Sequence, residues 1–244
     1  MTEPPATDPR DHPSNEPDGV FVVIAAFNEQ QAIGEVVRDL AHRYPNTVVV
    51  DDGSTDATRD AAIHAGARHT LRHPVNRGQG AALQTGIAFA LGRGADYIVT
   101  FDADGQHHAA DIQTLLEPLL AGRAEIALGS RFLDGSVVRG LPPTRRLVLR
   151  LAVIFTRLAS RVRVTDTHNG LRAFTRRAAQ RITITADRMA HASEILDAIR
   201  RSRLPYTEVP VTIRYTDYSL AKGQSSLAAF RVLFHYLLAR IFDR

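Results

Sequence analysis

At 244 residues, with 44% hydrophobic and 23% charged residues, the chain has the composition of an ordinary soluble globular protein and the length to bury one α/β core. It contains no cysteine, which excludes disulfides and thiolate metal sites and leaves oxygen or histidine as the ligands of any metal. The net charge of +4 is modest but uneven: from Arg139 to Arg181 there are eleven arginines and a single acid, Asp166. A one-signed stretch of this kind points to an anionic partner, whether a phosphate-bearing substrate, an anionic lipid surface or nucleic acid.

Residues 1–18 are polar and proline-bearing, without an apolar h-region, and are expected to form a disordered tail rather than a signal peptide. Val20 to Ala26 reads as a fully buried strand. A helix is expected from about Gln30 to Tyr44, with Ile33, Val36, Val37 and Leu40 on one face. Thr47 to Val50 is a second strand; Ser54, Thr55 and Asp56 can cap the next helix and Gly66 can end it. Arg68 to Arg72 is a weaker strand, and Gly78-Gln79-Gly80 opens a helix to about Leu91. Tyr97 to Phe101 is another buried strand, Asp111 to Ala121 a helix, and Glu125 to Leu128 leads into Gly129-Ser130-Arg131. Alternating strands and helices predict a mostly parallel sheet covered by helices.

After Pro142-Pro143 the character changes. Thr144 to Ser160 looks helical, with Leu147, Leu151, Ile154, Phe155 and Leu158 among arginines. Leu227 to Phe242 is a helix apolar around much of its circumference, broken by Arg231, His235 and Arg240. No stretch reaches the ~18 uninterrupted apolar residues of a membrane span. The expectation is therefore a domain over 19–226 followed by a terminal segment 227–244; helix 144–160 and that segment either dock on an anionic bilayer without crossing it, or pack on the domain or at a homodimer interface. The expected location is the cytoplasm, at the inner face of the membrane if the helices meet lipid.

In open parallel sheets, ligands gather at the carboxyl ends of the strands. Here the strong strands run into Phe27-Asn28-Glu29, Asp51-Asp52-Gly53-Ser54 and Asp102-Ala103-Asp104-Gly105-Gln106-His107. Carboxylates crowded together call for cations or hydrogen-bond donors between them. Asp-x-Asp at a strand end suits Mg2+ or Mn2+, with a diphosphate and water completing the shell and Gln106 or His107 as further ligands. Alternatively, Asp102 and Asp104 shape a turn and cap the following helix. Asp51 and Glu29 can take hydrogen bonds from a nucleobase or ribose, and the glycines around Gly80 can approach phosphate or simply allow close packing.

As an ordered series these motifs resemble family 2 glycosyltransferases of the GT-A fold, in the branch of dolichyl-phosphate mannose synthases and bacterial polyprenyl-phosphate sugar transferases. Asn76-x-Gly78-x-Gly80, Gly129-Ser130-Arg131, Asp166-Thr-His-Asn-Gly170-Leu-Arg172, Glu208-Val209-Pro210-Val211 and Lys222-Gly223-Gln224-Ser225 extend the match from about Val20 to Ser226. The resemblance implies an α/β three-layer sandwich and an inverting, divalent-metal-dependent transfer from a GDP- or UDP-sugar to a polyprenyl or dolichyl phosphate. By it, Ala25, Phe27, Glu29, Asp51, Asp52, Gly80, Asp102 and Ala103 line the donor nucleotide. Asp102, Asp104 and Gln106 hold the metal and diphosphate. Arg131, Asp166, Arg172, Lys222 and Ser225 face the acceptor, with Arg131 and Asp166 as the catalytic pair. Ala25 stands where the family often has Pro, and Phe27 where it often has Tyr; Ser226 stands where Lys is common. A hydroxyl acceptor would need Asp166 as general base, whereas a lipid phosphate needs none. The rival readings are a nucleotidyltransferase, which the acidic loop after the first strand argues against, and a non-catalytic scaffold; nucleic-acid binding is not expected, for lack of a helix-turn-helix or aromatic platform.

Overall fold

A computed structural model of the protein describes residues 19–160, 162–167, 169–185, 191–216 and 218–219. The expected tail 1–18, His168, Lys222, Ser225 and the helix expected over 227–242 lie outside the described residues.

The chain opens with β1 (Val20–Ala26), α1 (Ile33–Ala41), β2 (Thr47–Asp51), α2 (Thr58–His64), β3 (His69–Arg72), α3 (Gln79–Gly92), β4 (Tyr97–Asp102), α4 (Asp111–Leu120) and β5 (Ile126–Ser130). It continues through β6 (Val137–Arg139), α5 (Pro143–Ser160), β7 (Arg172–Thr175), α6 (Arg176–Arg181), α7 (His191–Ser202), β8 (Tyr206–Pro210) and β9 (Thr212–Arg214). Seven strands form one sheet in the order β3-β2-β1-β4-β7-β5-β8, while β6 and β9 pair in parallel beside it. The α/β, mostly parallel architecture holds, with one exception: β7 runs antiparallel between β4 and β5.

Strand alternation divides the core into two layers. Val20, Val22 and Ile24 of β1 face α1 and α4, packing with Val36, Val37, Leu40, Leu115 and Leu116. Phe21 and Val23 face the opposite side, with Ala82, Leu83 and Ile87 of α3 and Ile195 and Ile199 of α7. α1 is shorter than the expected 30–44 but keeps the whole apolar face of Ile33, Val36, Val37 and Leu40, and the Glu29 carbonyl leads into it by accepting the N–H groups of Ala32 and Ile33.

α3 lies close against β1 because its inward face is small, and Gly86 is the closest approach. A Cβ there would land on the Cγ1 of Val23 and come within 3.2 Å of the Val50 Cγ2. Glycine inside a helix costs about 1 kcal/mol against alanine, whereas overpacking a rigid core costs ~1–3 kcal/mol. Val23 is fully buried on a central strand and cannot swing aside. Packing therefore wins: Gly86→Ala is expected to lower the melting temperature by a few degrees, as differential scanning calorimetry can show. A rise would mean that α3 lies further from the sheet.

α5 turns Ala152 and Val153 inward and packs against α7. Three of its larger apolar residues do the opposite: Leu147, Leu151 and Ile154 are about half exposed, at 59%, 50% and 55%. No helix among the described residues is long and apolar enough to cross a membrane.

Candidate functional site

The register aligns the strand ends: Ala26 pairs with Asp51 and Ala25 with Asp102, so β1 ends between the two acids. Beyond them the loops after β1 and β2 are tied together. Asn28 N–H donates to Ser54 Oγ (2.9 Å), Thr55 N–H to Asn28 Oδ1 (2.9 Å), Glu29 N–H to Thr58 Oγ1 (2.7 Å) and Ala57 N–H to Gln30 Oε1 (3.1 Å). Asn28 adopts φ +54, a left-handed geometry that asparagine tolerates better than most residues. Asp56 accepts the N–H of Thr58 at 3.0 Å at the start of α2.

Each expected donor-side residue has a distinct place. Phe27 is exposed and Ala25 half-buried at the end of β1, Ala103 is buried between the two acids, and Gly80 lies buried in the first turn of α3. Asp51 is buried; its Oδ1 accepts Ser54 N–H (2.9 Å), while Oδ2 lies 3.3 Å from Arg72 Nε without a hydrogen bond. A buried acceptor in this state suits the N–H of a nucleobase. Tyr218 OH donates to Glu29 Oε2 at 2.8 Å, bringing the end of the described chain over this corner. Burial first and Glu29 second push the Tyr218 hydroxyl above its ordinary pKa.

Asp52 is tied to the loop that enters α3. Its carboxylate accepts His73 Nδ1 (2.7 Å), Arg77 N–H (3.0 Å) and Gly78 N–H (2.6 Å), and His73 Nε2 reaches Thr85 Oγ1 (2.9 Å) on α3. With those partners Asp52 shapes the loop entering α3. The sequence carried no sign of it, because the partners are two backbone N–H groups and a histidine on other elements.

Asp102 and Asp104 stand side by side at the end of β4. Asp102 accepts Gln79 Nε2 (3.1 Å) and His107 Nε2 (2.9 Å), and Asp104 accepts both the backbone N–H (3.1 Å) and Nε2 (2.6 Å) of Gln106. The loop carrying them is clamped by β9: His107 bridges to Ile213 and Arg214 N–H donates to Gln106 O (2.9 Å). The carboxylate of Asp102 also lies directly on Gly170, where any Cβ would overlap it. Thr100 Oγ1 fixes that glycine through its carbonyl at 2.7 Å.

Burial, and then the neighbouring Asp102, push the Asp104 carboxyl up to about 6. Crowded acids in this state fit a hard divalent cation, which would bind carboxylate oxygens of Asp102 and Asp104. Gln106 presents its N–H to Asp104; turning the amide over exchanges nitrogen for oxygen in place and would offer a further ligand. Among the described residues no three His, Cys, Asp or Glu side chains are grouped to hold a metal, and a diphosphate and water would complete the shell.

The shift has a consequence for stability. Between the ordinary carboxylate value of 3.8 and about 6 the folded protein holds a proton that the unfolded chain releases, so stability falls as pH rises through this window. Asp104→Asn removes the penalty. In chelator-containing buffer the variant is expected to melt above wild type at pH 7.5, with the gap closing toward pH 4. A gap independent of pH would contradict the assignment.

Of the residues expected on the acceptor side, Arg131, Asp166 and Arg172 are described. Arg131 follows β5 and is buried, with Nε 2.5 Å from Asp166 Oδ2; its backbone N–H reaches the same oxygen at 3.2 Å and Nη1 donates to Tyr215 OH at 2.6 Å. Burial opposes the Arg131 charge, but Asp166 and Tyr215 outweigh it and hold its pKa above the ordinary value. Arg145 of α5 stacks on the Tyr215 ring, 5.2 Å from its centroid. Arg172 is buried on β7, between Thr100 of β4 and Leu128 of β5. Burial lowers its pKa, partly offset by Asp102 and Asp166, and its Nη1 has no hydrogen-bond partner. Tyr215 and Tyr218 carried no sequence signal beyond flanking the loop before Lys222.

The profile of the family described as "Glycosyl transferase family 2" matches residues 21–183, more than half of the chain. An uncharacterised protein of Methanocaldococcus jannaschii is 39% identical over 228 residues, 92% of this chain and 93% of that one. The UDP-N-acetylglucosamine–dolichyl-phosphate N-acetylglucosaminyltransferase of Methanococcus voltae is 31% identical over 241 residues, 91% of this chain and 96% of that one. Among solved structures, glucosyl-3-phosphoglycerate synthase of Mycobacterium tuberculosis in complex with Mn2+ and UDP-glucose superposes with a TM-score of 0.67 at 23% identity, covering 91% of this chain and 78% of that one. That likeness is one of fold. With its profile match, its near-full-length relatives and its strand-end acids in family order, this chain is a glycosyltransferase and belongs to glycosyl transferase family 2.

Proposed function

We propose that the enzyme transfers a sugar from a GDP- or UDP-sugar to a polyprenyl or dolichyl phosphate, with inversion and with Mg2+ or Mn2+ bound at Asp102 and Asp104. The observation that carries the acceptor class is the state of Asp166. Its Oδ2 receives both Nε and the backbone N–H of Arg131. It is engaged in orienting a guanidinium rather than placed to take a proton from a hydroxyl. A phosphate acceptor is already anionic at neutral pH and needs a cation to position it, not a base. The name of the Methanococcus voltae relative, with dolichyl phosphate as its acceptor, supports the same class.

In this reading an oxygen of the acceptor phosphate forms a bond to the anomeric carbon as the bond from that carbon to the diphosphate breaks. The nucleoside diphosphate leaves with the electron pair. When bound, the cation supplies charge stabilisation for the departing diphosphate. Glu29 and the Asp51 Oδ2 orient the nucleoside, and Arg131 orients the acceptor. The exposed Leu147, Leu151 and Ile154, alternating with exposed Arg146 and Arg150 on α5, support docking on an anionic bilayer that presents the lipid.

The test is a thermal-shift panel of GDP- and UDP-sugars with and without Mn2+, followed by turnover with undecaprenyl phosphate against soluble sugar acceptors. One nucleotide class should stabilise the protein only with metal, and product should form with the lipid phosphate. Stabilisation indifferent to metal, or transfer only to hydroxyls, would overturn the respective half of the reading.

A further inference from the structure

The motif Glu208-Val209-Pro210-Val211 has no part in the chemistry described so far, yet Glu208 meets the acceptor side directly. Its Oε1 and Oε2 accept Thr165 N–H at 2.8 and 2.9 Å, and Oε1 also accepts Thr165 Oγ1 (2.9 Å) and Asp166 N–H (3.2 Å). Thr165 Oγ1 in turn meets Ser130 Oγ at 2.6 Å. The backbone of β8 does a second thing: it pairs with β5 in register, Leu128 opposite Glu208 and Ser130 opposite Pro210. Arg131 is the residue after Ser130. One strand therefore holds both halves of an ion pair whose members are 35 residues apart, Arg131 through main-chain pairing and Asp166 through a side chain.

We propose that Glu208 is the positioning residue of the Arg131–Asp166 pair, fixing the loop that carries Asp166 so that its carboxylate meets both Nε and the backbone N–H of Arg131. The geometry calls for an ionised side chain, since several donors and no acceptor converge on it. The inference needs sugar transfer alone, whichever acceptor is used.

A first arm uses the ligand-free protein and is independent of substrate: amide exchange at Thr165 and Asp166, and the Nε–H resonance of Arg131, followed by NMR in wild type, Glu208→Gln and Glu208→Ala. Exchange should quicken at Thr165 and Asp166, and the Arg131 Nε–H signal broaden or shift, most in Glu208→Ala and less in the isosteric Glu208→Gln. A second arm measures turnover with undecaprenyl phosphate and whichever of UDP-N-acetylglucosamine or GDP-mannose the wild type uses. Small displacements of a positioning group cost up to about 100-fold; Glu208→Ala should lose tenfold or more in kcat, with the donor KM unchanged and partial rescue by Gln. In an Asp166→Asn background the same change should add less than about twofold, because both act on one group. An undisturbed Arg131 signal in folded Glu208→Ala, or a full additive loss in the Asp166→Asn background, would overturn the proposal. A wild type inactive with both donors would instead count against the donor and acceptor of the proposed function, leaving the NMR arm to decide this one.

Discussion

Asp102→Ala is expected to reduce sugar transfer by about 100- to 1,000-fold, the scale on which loss of one preorganised electrostatic group is felt, while the fold remains. The change removes one carboxylate and leaves His107 Nε2 and Gln79 Nε2 without it. Each such hydrogen bond is worth roughly 1 kcal/mol net. Against that stands relief of the repulsion that helps raise the Asp104 pKa. Asp102 is also the first carboxylate offsetting the buried charge of Arg172, so the melting temperature in chelator should fall by a few degrees while the folded state persists. The Mn2+-dependent stabilisation by a nucleotide sugar should vanish together with turnover. Gly170→Val approaches the same carboxylate from the other side: its Cβ must displace Asp102 while the carboxylate itself survives. It should reproduce much of the activity loss. Circular dichroism melts run beside radiolabelled sugar transfer would check both variants. A loss of activity that tracked a large fall in melting temperature would reduce Asp102 to a structural acid.

That prediction rests on a part of the molecule legible before any coordinates. Apolar β-branched runs ending in Asp51 and Asp102 make buried strands whose acids must emerge at one edge. Less legible was everything that depends on one element meeting another far along the chain. β7 is only Arg172–Thr175, and a four-residue segment opening with arginine carries no strand signal; it is held by the register it finds between β4 and β5. Gly170 sits in a motif as a letter, but its reason is the Asp102 carboxylate lying on it. Asp52 reads like its neighbour Asp51, yet alternation sends one toward Arg72 and the other toward His73 and the α3 loop. The outward apolar face of α5 shows the same limit. Periodicity identified the stripe but not which way it points, because the small Ala152 and Val153 proved sufficient for packing inside.

Asp166→Ala is expected to lower stability by about 3–5 kcal/mol, the usual consequence of leaving one member of a buried ion pair without its partner. For a chain of this length that is a fall in melting temperature on the order of 10 °C. The reason is Arg131, which is 8% exposed and retains only the Tyr215 hydroxyl among its side-chain partners once the carboxylate is gone. Replacing both charges removes the desolvation penalty along with the attraction. Arg131→Met combined with Asp166→Leu should therefore recover most of the lost stability, since well-packed apolar pairs often equal buried ion pairs. Activity follows the opposite logic. In the proposed function the pair orients a guanidinium toward an anionic acceptor, and neither the single variant nor the stabilised double variant has such a group. Urea unfolding and transfer assays on the four corners of this cycle separate the roles. A double variant as active as wild type would assign the acceptor phosphate to other cations, with Arg145 and Arg172 nearest at hand.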